Sequence, residues 1–163
     1  MTLARATVQL ASHDQAMQIA LLARDHVEHG LGWSWTPDRV LESIRSADTN
    51  VAVVLDEGQR VQAFGIMRYG EQHAHLELLA VRPEQRRQGL ASAVLRWLEA
   101  AARVAGAERI TLECRRANAA ARCLYLEHGY HERRIERGLY RQREDGIRLE
   151  KWLRPRADRA DEG

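Results

Sequence analysis

Residues 86–91 read Arg-Arg-Gln-Gly-Leu-Ala, between a run that alternates like a strand, HAHLELLAV, and one spaced like a helix, LASAVLRWLEAAARVA. An ordinary strand-to-helix turn needs one glycine and no cations. A glycine turn that opens a helix presents unpaired backbone N–H groups at the positive end of the helix dipole. Phosphate oxygens bind such a turn, and a diphosphate gains further from arginines alongside. Gly89 lets backbone approach an oxygen closely, Ala91 is small for the same reason, and Arg86, Arg87 and Gln88 enlarge the donor set. Neither G-x-x-x-x-G-K-[ST] nor G-x-G-x-x-G occurs, which argues against a P-loop nucleoside triphosphatase and a dinucleotide site. The plainer alternative is a glycine turn with exposed arginines.

The elements around this turn follow from periodicity. ATVQLA (6–11) alternates weakly and reads as a first strand, after which Ser12 and Gln15 form a capping box. Ala16, Ile19, Ala20, Leu22, Ala23 and Val27 share one helical face, which Gly30 and Gly32 terminate. Thr36 and Pro37 open a short second helix carrying Val40, Leu41 and Ile44 inward. VAVVL, VQAFGIMRY and HAHLELLAV then form an antiparallel meander joined by DEGQ and YGEQ. In the third of these strands, alternation puts His73, His75 and Glu77 on one face and Ala74, Leu76 and Leu78 on the other.

The helix after the turn carries Leu90, Val94, Trp97, Leu98, Ala101 and Val104 at core spacing. RITLEC reads as a strand, and NAAARCLYLEHG as a helix with Asn118 at its start and Gly129 at its C′ position. YHERRI and IRLEKWL close the fold around an irregular, charged ERGLYRQREDG. The order is strand, two helices, three strands, helix, strand, helix, two strands: an α/β (α+β) architecture with a mixed sheet rather than a doubly wound repeat. One domain over residues 4–154 is expected, followed by a mobile polar tail, 155–163.

With these elements in place, LLAVRPEQRRQGLASAVLRWLE resembles the acetyl-coenzyme A signature of the Gcn5-related N-acetyltransferase superfamily, [QR]-x-x-G-x-[GA], here from Arg86 to Ala91. A second block, LECRRANAAARCLYLEHGYHE, is similar to the same superfamily's strand–helix signature. The resemblance spans roughly residues 50–152, and its two motifs occur in the right order and spacing. It implies a mostly antiparallel, splayed sheet of about seven strands flanked by four helices. It also implies that acetyl-CoA lies in the gap between the fourth and fifth strands, its pantetheine arm pairing with backbone at Leu79, Ala80 and Val81 as in strand-edge recognition. Its diphosphate would meet Arg86, Arg87, Gln88, Gly89, Leu90, Ala91 and Ser92, while Asn118 would reach the pantetheine amides. No metal is implied.

Moving an acetyl group from sulfur to nitrogen needs a neutral amine, a polarised carbonyl and a proton for the departing thiolate. The family's LY position implies Tyr125 as the proton donor, placed where it would also touch the cofactor. A packing tyrosine with a satisfied hydroxyl is the bland alternative. For the base, Glu113 stands twelve residues before Tyr125, a spacing similar to that of the ribosomal-protein alanine N-acetyltransferases. Glu77, on the fourth strand near the expected thioester, is the rival. Substrate choice in the superfamily implicates the first helix–helix loop and the last hairpin. There Trp33 and Trp35 are candidates for the floor of an acceptor pocket, although such a pair is as often core packing. The acceptor is a primary amine, either a small molecule or a peptide N-terminus.

Composition is consistent with this reading. At 163 residues, 45% hydrophobic and 29% charged, the chain is an ordinary globular domain. Net charge is +2, and Lys151 is the sole lysine. A nucleic-acid partner would call for a marked basic stripe. The arginines at 133, 134, 137, 141 and 143 are instead interleaved with Glu132, Glu136, Glu144 and Asp145. No apolar run reaches the roughly 20 residues of a membrane span, and no secretory leader is evident, so a cytoplasmic location is the expectation. Cys114 and Cys123 make no zinc or disulfide pattern and read as small buried hydrophobes. The last strands offer a route to a homodimer. A non-catalytic acetyl-CoA sensor is the alternative to an enzyme.

Overall fold

Caps open the first two helices where their residues demand. The Ser12 N–H donates to Gln15 Oε1 at 2.6 Å, and Thr36 Oγ1 accepts the Arg39 N–H at 3.3 Å. The computed structural model describes residues 7–140 and 144–154. Residues 4–6, the tail 155–163, Arg141 and Arg143 lie outside the described residues. In chain order the elements are β1 (Val8–Leu10), α1 (Ala16–Leu22), α2 (Pro37–Arg45), β2 (Thr49–Leu55), β3 (Val61–Tyr69) and β4 (His73–Val81), then α3 (Leu90–Val104), β5 (Arg109–Arg115), α4 (Ala119–Glu127), β6 (His131–Tyr140) and β7 (Glu144–Trp152). The order is the one the periodicity predicts. α1 runs on into a single π-helical turn, Ala23–Val27. The strands form one open, mostly antiparallel sheet in the order β1-β2-β3-β4-β5-β7-β6, with β4 and β5 parallel. Among the described residues, no helix is long and apolar enough to cross a membrane.

The described chain divides into two compact units. One holds the residues up to Arg68 together with Glu77–Ala100, and the other holds Tyr69–Leu76 and the residues from Ala101 onward.

In the first unit, Ile19, Ala20 and Ala23 pack with Val40 of α2, with Val51 and Val53 of β2, with Phe64 and Ile66 of β3, and with Leu78 of β4. Trp35 belongs to this cluster. α3 presses onto β3 at Gly65, where a Cβ would stand 2.7 Å from Leu98 Cδ1 and 2.9 Å from Val94 Cγ1. Only glycine allows that approach. The buried stripe of α3 holds Leu90, Val94, Leu95 and Leu98. Two expectations change here: Leu95 is core, whereas Val104 is 91% exposed because it ends the helix.

Burial alternates along β4 as expected, with Ala74, Leu76 and Leu78 buried and His73, His75 and Glu77 less so. Glu77 pairs with Arg68 and approaches Arg39 of α2. The parallel pairing of β4 with β5 ends at Leu76↔Leu112.

In the second unit, β5 alternates cleanly, with Ile110, Leu112 and Cys114 inward. It pairs antiparallel with β7 from Arg109↔Trp152 to Arg115↔Gly146. The charged stretch expected to be irregular is mostly strand: β6 continues to Tyr140 and β7 begins at Glu144, with register shifts at Glu132/Arg134 and Glu136/Tyr140. Local composition hid this, because both faces of β6 are largely exposed and need no apolar alternation. Cys114 is buried as expected, but Cys123 is exposed, lying on the outer side of α4.

Candidate functional site

The turn before α3 has the geometry its residues require. Gly89 sits at φ +78°, and a Cβ there would meet nothing within 4 Å. The glycine thus serves the backbone conformation and leaves open space in front of it. Arg87 also lies in the left-handed region, at φ 66°, where an L-residue is held at a cost of about 1–2 kcal/mol. The Ala93 N–H donates to the Gly89 carbonyl at 3.0 Å, so the N–H groups of Leu90 and Ala91 belong to the first turn, where the helix itself offers no acceptor. Arg86, Arg87 and Gln88 are exposed. Two open backbone donors, a glycine without crowding and three exposed donor side chains suit a diphosphate in size and charge. Just before the turn, Leu79, Ala80 and Val81 are the last residues of β4.

The α1–α2 loop is organised by Glu28. Its Oε1 accepts the Ser34 N–H at 3.0 Å and the Ser34 hydroxyl, and its Oε2 accepts the Trp35 N–H at 3.0 Å. Trp33, 36% exposed, donates its indole N–H to Ala20 O at 3.1 Å and lies under the Arg24 guanidinium, 5.3 Å away. It lines a cavity of about 550 Å3 with Arg24, Asp25, Glu28, His29, Gly30 and Gly32. Trp35 is different: it is buried in the core, and the Arg39 guanidinium lies 3.7 Å from its ring centroid. Glu77 is held by Arg68 Nε at 2.8 Å on Oε1, with Arg39 Nη2 4.0 Å from Oε2.

In the second unit, Tyr125 is buried in α4, its ring edge-on to Tyr130 with centroids 5.6 Å apart. Burial raises the pKa of its hydroxyl above the ordinary phenol value, and Cys114 and Tyr140 add to the rise. Tyr140 is raised in the same way, by burial first and then by Cys114 and Glu113. Burial pushes the Cys114 thiol up to about 11. These three groups are therefore neutral proton carriers at ordinary pH. Glu113 pairs through Oε1 with Arg148 Nη2 at 3.1 Å, across the β5–β7 ladder. Asn118 caps α4, its Oδ1 accepting the Ala121 N–H at 3.1 Å. Beside it, Arg116, Ala117, Arg122, Glu144 and Asp145 line a cavity of about 430 Å3.

The structure thus brings Tyr125 and Glu113 into one unit, and Glu77, Leu79–Val81, the Arg86–Ser92 turn, Trp33 and Trp35 into the other. Sequence reasoning missed Tyr140, Arg39, Arg68 and Arg148. The first stands in a stretch read as irregular. The arginines are three of many, and only tertiary pairing singles them out. Among the described residues, no group of three or more His, Cys, Asp or Glu is arranged to hold a metal ion.

Comparison with known proteins bears on what these residues serve. The [ribosomal protein bS18]-alanine N-acetyltransferase of Escherichia coli (strain K12) is 36% identical over 96 residues, 57% of this chain and 65% of that protein. The chain thus spans about 65% of the length of the curated relatives it matches. The crystal structure of the ribosomal-protein-S18-alanine N-acetyltransferase from Escherichia coli superimposes with a TM-score of 0.75 at 27% identity, covering 91% of this chain and 94% of that one. Ard1 from Thermoplasma volcanium shares the fold at 19% identity, with a TM-score of 0.78 over 93% of this chain and 100% of that one. Residues 18–130 match the Acetyltransferase (GNAT) family as a whole, and the chain belongs to that family.

Proposed function

We propose that this protein is an acetyl-CoA-dependent N-acetyltransferase acting on a primary amine by direct attack. The observation that carries the reading is the turn at the head of α3, where Gly89 at φ +78° opens onto empty space between exposed Arg86, Arg87 and Gln88 and the first-turn N–H groups. Acetyl-CoA, when bound, supplies the acetyl group as a thioester. The Arg86–Ser92 turn grips the diphosphate, and the backbone of Leu79, Ala80 and Val81 pairs with the pantetheine arm. Asn118, whose Oδ1 caps α4, keeps its amide N–H groups for the pantetheine.

Two side chains move protons. Glu113, its side chain 27% exposed beside Arg148, accepts the proton of the acceptor ammonium, directly or through a water. Glu77 is the weaker candidate, since both of its oxygens face arginines. Tyr125, kept as the neutral phenol by burial, donates its proton to the departing sulfur. The acceptor is a small amine or a peptide N-terminus, and the names of the relatives favour the peptide.

Calorimetric titration with acetyl-CoA, followed by mass analysis of pooled amines and N-terminal peptides, tests the reading. The expected outcome is saturable binding and one free thiol per acetylated amine. No heat of binding overturns the proposal. Binding without any acetylated product leaves only a cofactor-binding module.

A further inference from the structure

Glu77 carries one negative charge between two guanidinium groups. Arg68 bonds it at 2.8 Å and Arg39 stands at 4.0 Å, so the group of three bears a net positive charge. The carboxylate is the covered member, with its side chain 17% exposed, whereas the arginines are 61% and 46% exposed. A guanidinium has five N–H donors in a planar fork. Arg68 turns Nε to Glu77 while its side chain stays 61% exposed. Arg39 is fixed from behind, flat against the buried Trp35 ring at 3.7 Å, with Nη1 3.5 Å from Ser34 O. Glu28, the other acid of this loop, is consumed by the Ser34 and Trp35 N–H groups. Asp38, beside Arg39, and Glu42, on the next turn of α2, are the remaining acids of that helix near it.

Place matters as much as charge. If the cofactor arm runs back from the α3 turn along Val81, Ala80 and Leu79, its acyl end lies toward Glu77. Glu77 is two residues upstream of Leu79, about 7 Å at strand rise, and its side chain reaches Arg39 of α2 at 4.0 Å. The two exposed guanidinium groups therefore stand where the acceptor arrives.

We propose that Arg39 and Arg68 form an anion-recognising wall of the acceptor site, selecting an amine whose own molecule carries a carboxylate close to it. This inference rests on the transferase reading and names its substrate class. A carboxylate there completes two cations with two anions and finds bidentate geometry waiting. Its source is either the α-carboxylate of an amino acid or an acidic side chain at the second position of a peptide. If the cluster were only a surface ion pair, it would contribute little and would favour no acceptor.

The test compares matched pairs on the full chain in the presence of acetyl-CoA: alanine against alaninamide, and the amidated hexapeptides Ala-Glu-Ala4 against Ala-Gln-Ala4. Calorimetry with CoA-bound protein reads affinity, and thiol release reads kcat/KM. In at least one arm the acid form should lead its amide by about tenfold or more, the scale of a charge-assisted contact. The arm that responds identifies the source. Arg39→Gln and Arg68→Gln should each bring the ratio toward one, whereas Arg103→Gln, on exposed α3 surface, should leave it unchanged. Equal handling of acid and amide by the wild-type protein in both arms overturns the proposal without any variant. A preference that survives both Arg39→Gln and Arg68→Gln overturns it too. An acid preference in affinity with no turnover upholds the arginine wall while defeating the transferase reading.

Discussion

The proton-donor role proposed for Tyr125 rests on its surroundings: burial raises its pKa, and its ring packs edge-on to Tyr130. Tyr125→Phe keeps that packing and removes one oxygen. The expected loss in kcat is about tenfold or more, with little change in acetyl-CoA affinity, the signature of a lost general acid. Turnover left unchanged between pH 6 and 9 would remove Tyr125 from the chemistry. Glu113→Gln should lower the rate and make it climb toward alkaline pH, where the acceptor amine is already neutral. Glu77→Gln should have the smaller effect on that profile. If the two profiles are exchanged, Glu77 is the base. At this scale the family motif singled out Tyr125 and Glu113 as candidates, since both lie within one block of sequence, and both fall in the same unit of the structure. Arg39, Arg68 and Glu77 were not legible as a group. They come from α2, β3 and β4, and nothing local marks two arginines for one carboxylate.

Elements were legible wherever one face is buried and the other is wet. That is why β5, with its strict inward alternation, and the capped α2 came out as expected. β6 was cut short because both of its faces are largely exposed. The turn before α3 was legible as a turn from Gly89, which sits at φ +78°, and its exposed arginines are what prompt the proposal of a bound anion. Its prediction concerns Gly89. The added methyl of Gly89→Ala would meet no protein atom within 4 Å, but φ +78° is unfavourable for alanine. The variant should lose about 1 kcal/mol of stability. Acetyl-CoA affinity should fall by considerably more than a factor of five, because the methyl also enters the space proposed for the diphosphate. Denaturant unfolding and calorimetry on the same protein separate the two losses. An affinity equal to wild type would place the cofactor elsewhere.

At the scale of the whole molecule, charge is unusually insensitive to base. Lys151 apart, every one of the 25 cations is arginine, and net charge is only +2 at pH 7. Arginines stay protonated far above neutrality, so raising the pH to 11 adds little self-repulsion. Alkaline loss of stability is then expected mainly from groups whose pKa burial raises, among them Cys114, Tyr125 and Tyr140 of the second unit. All three have pKa values raised by burial, so the folded state holds their protons more tightly than the unfolded chain does. Their contribution is complete below the unfolded pKa values and is lost as pH rises toward the folded ones. For Cys114 the window runs from about 9, the free-thiol value, to about 11. The tyrosines extend the loss above about pH 10. Urea midpoints measured from pH 7 to 11 should hold steady to about pH 9 and then fall, with Cys114 alone accounting for a loss on the order of 2 kcal/mol. Cys114→Ala should start less stable because a buried side chain is shortened, yet show a shallower slope between pH 9 and 11. A variant slope as steep as wild type would mean that the thiol is not held neutral by burial. It would also weaken the same argument for its neighbour Tyr125.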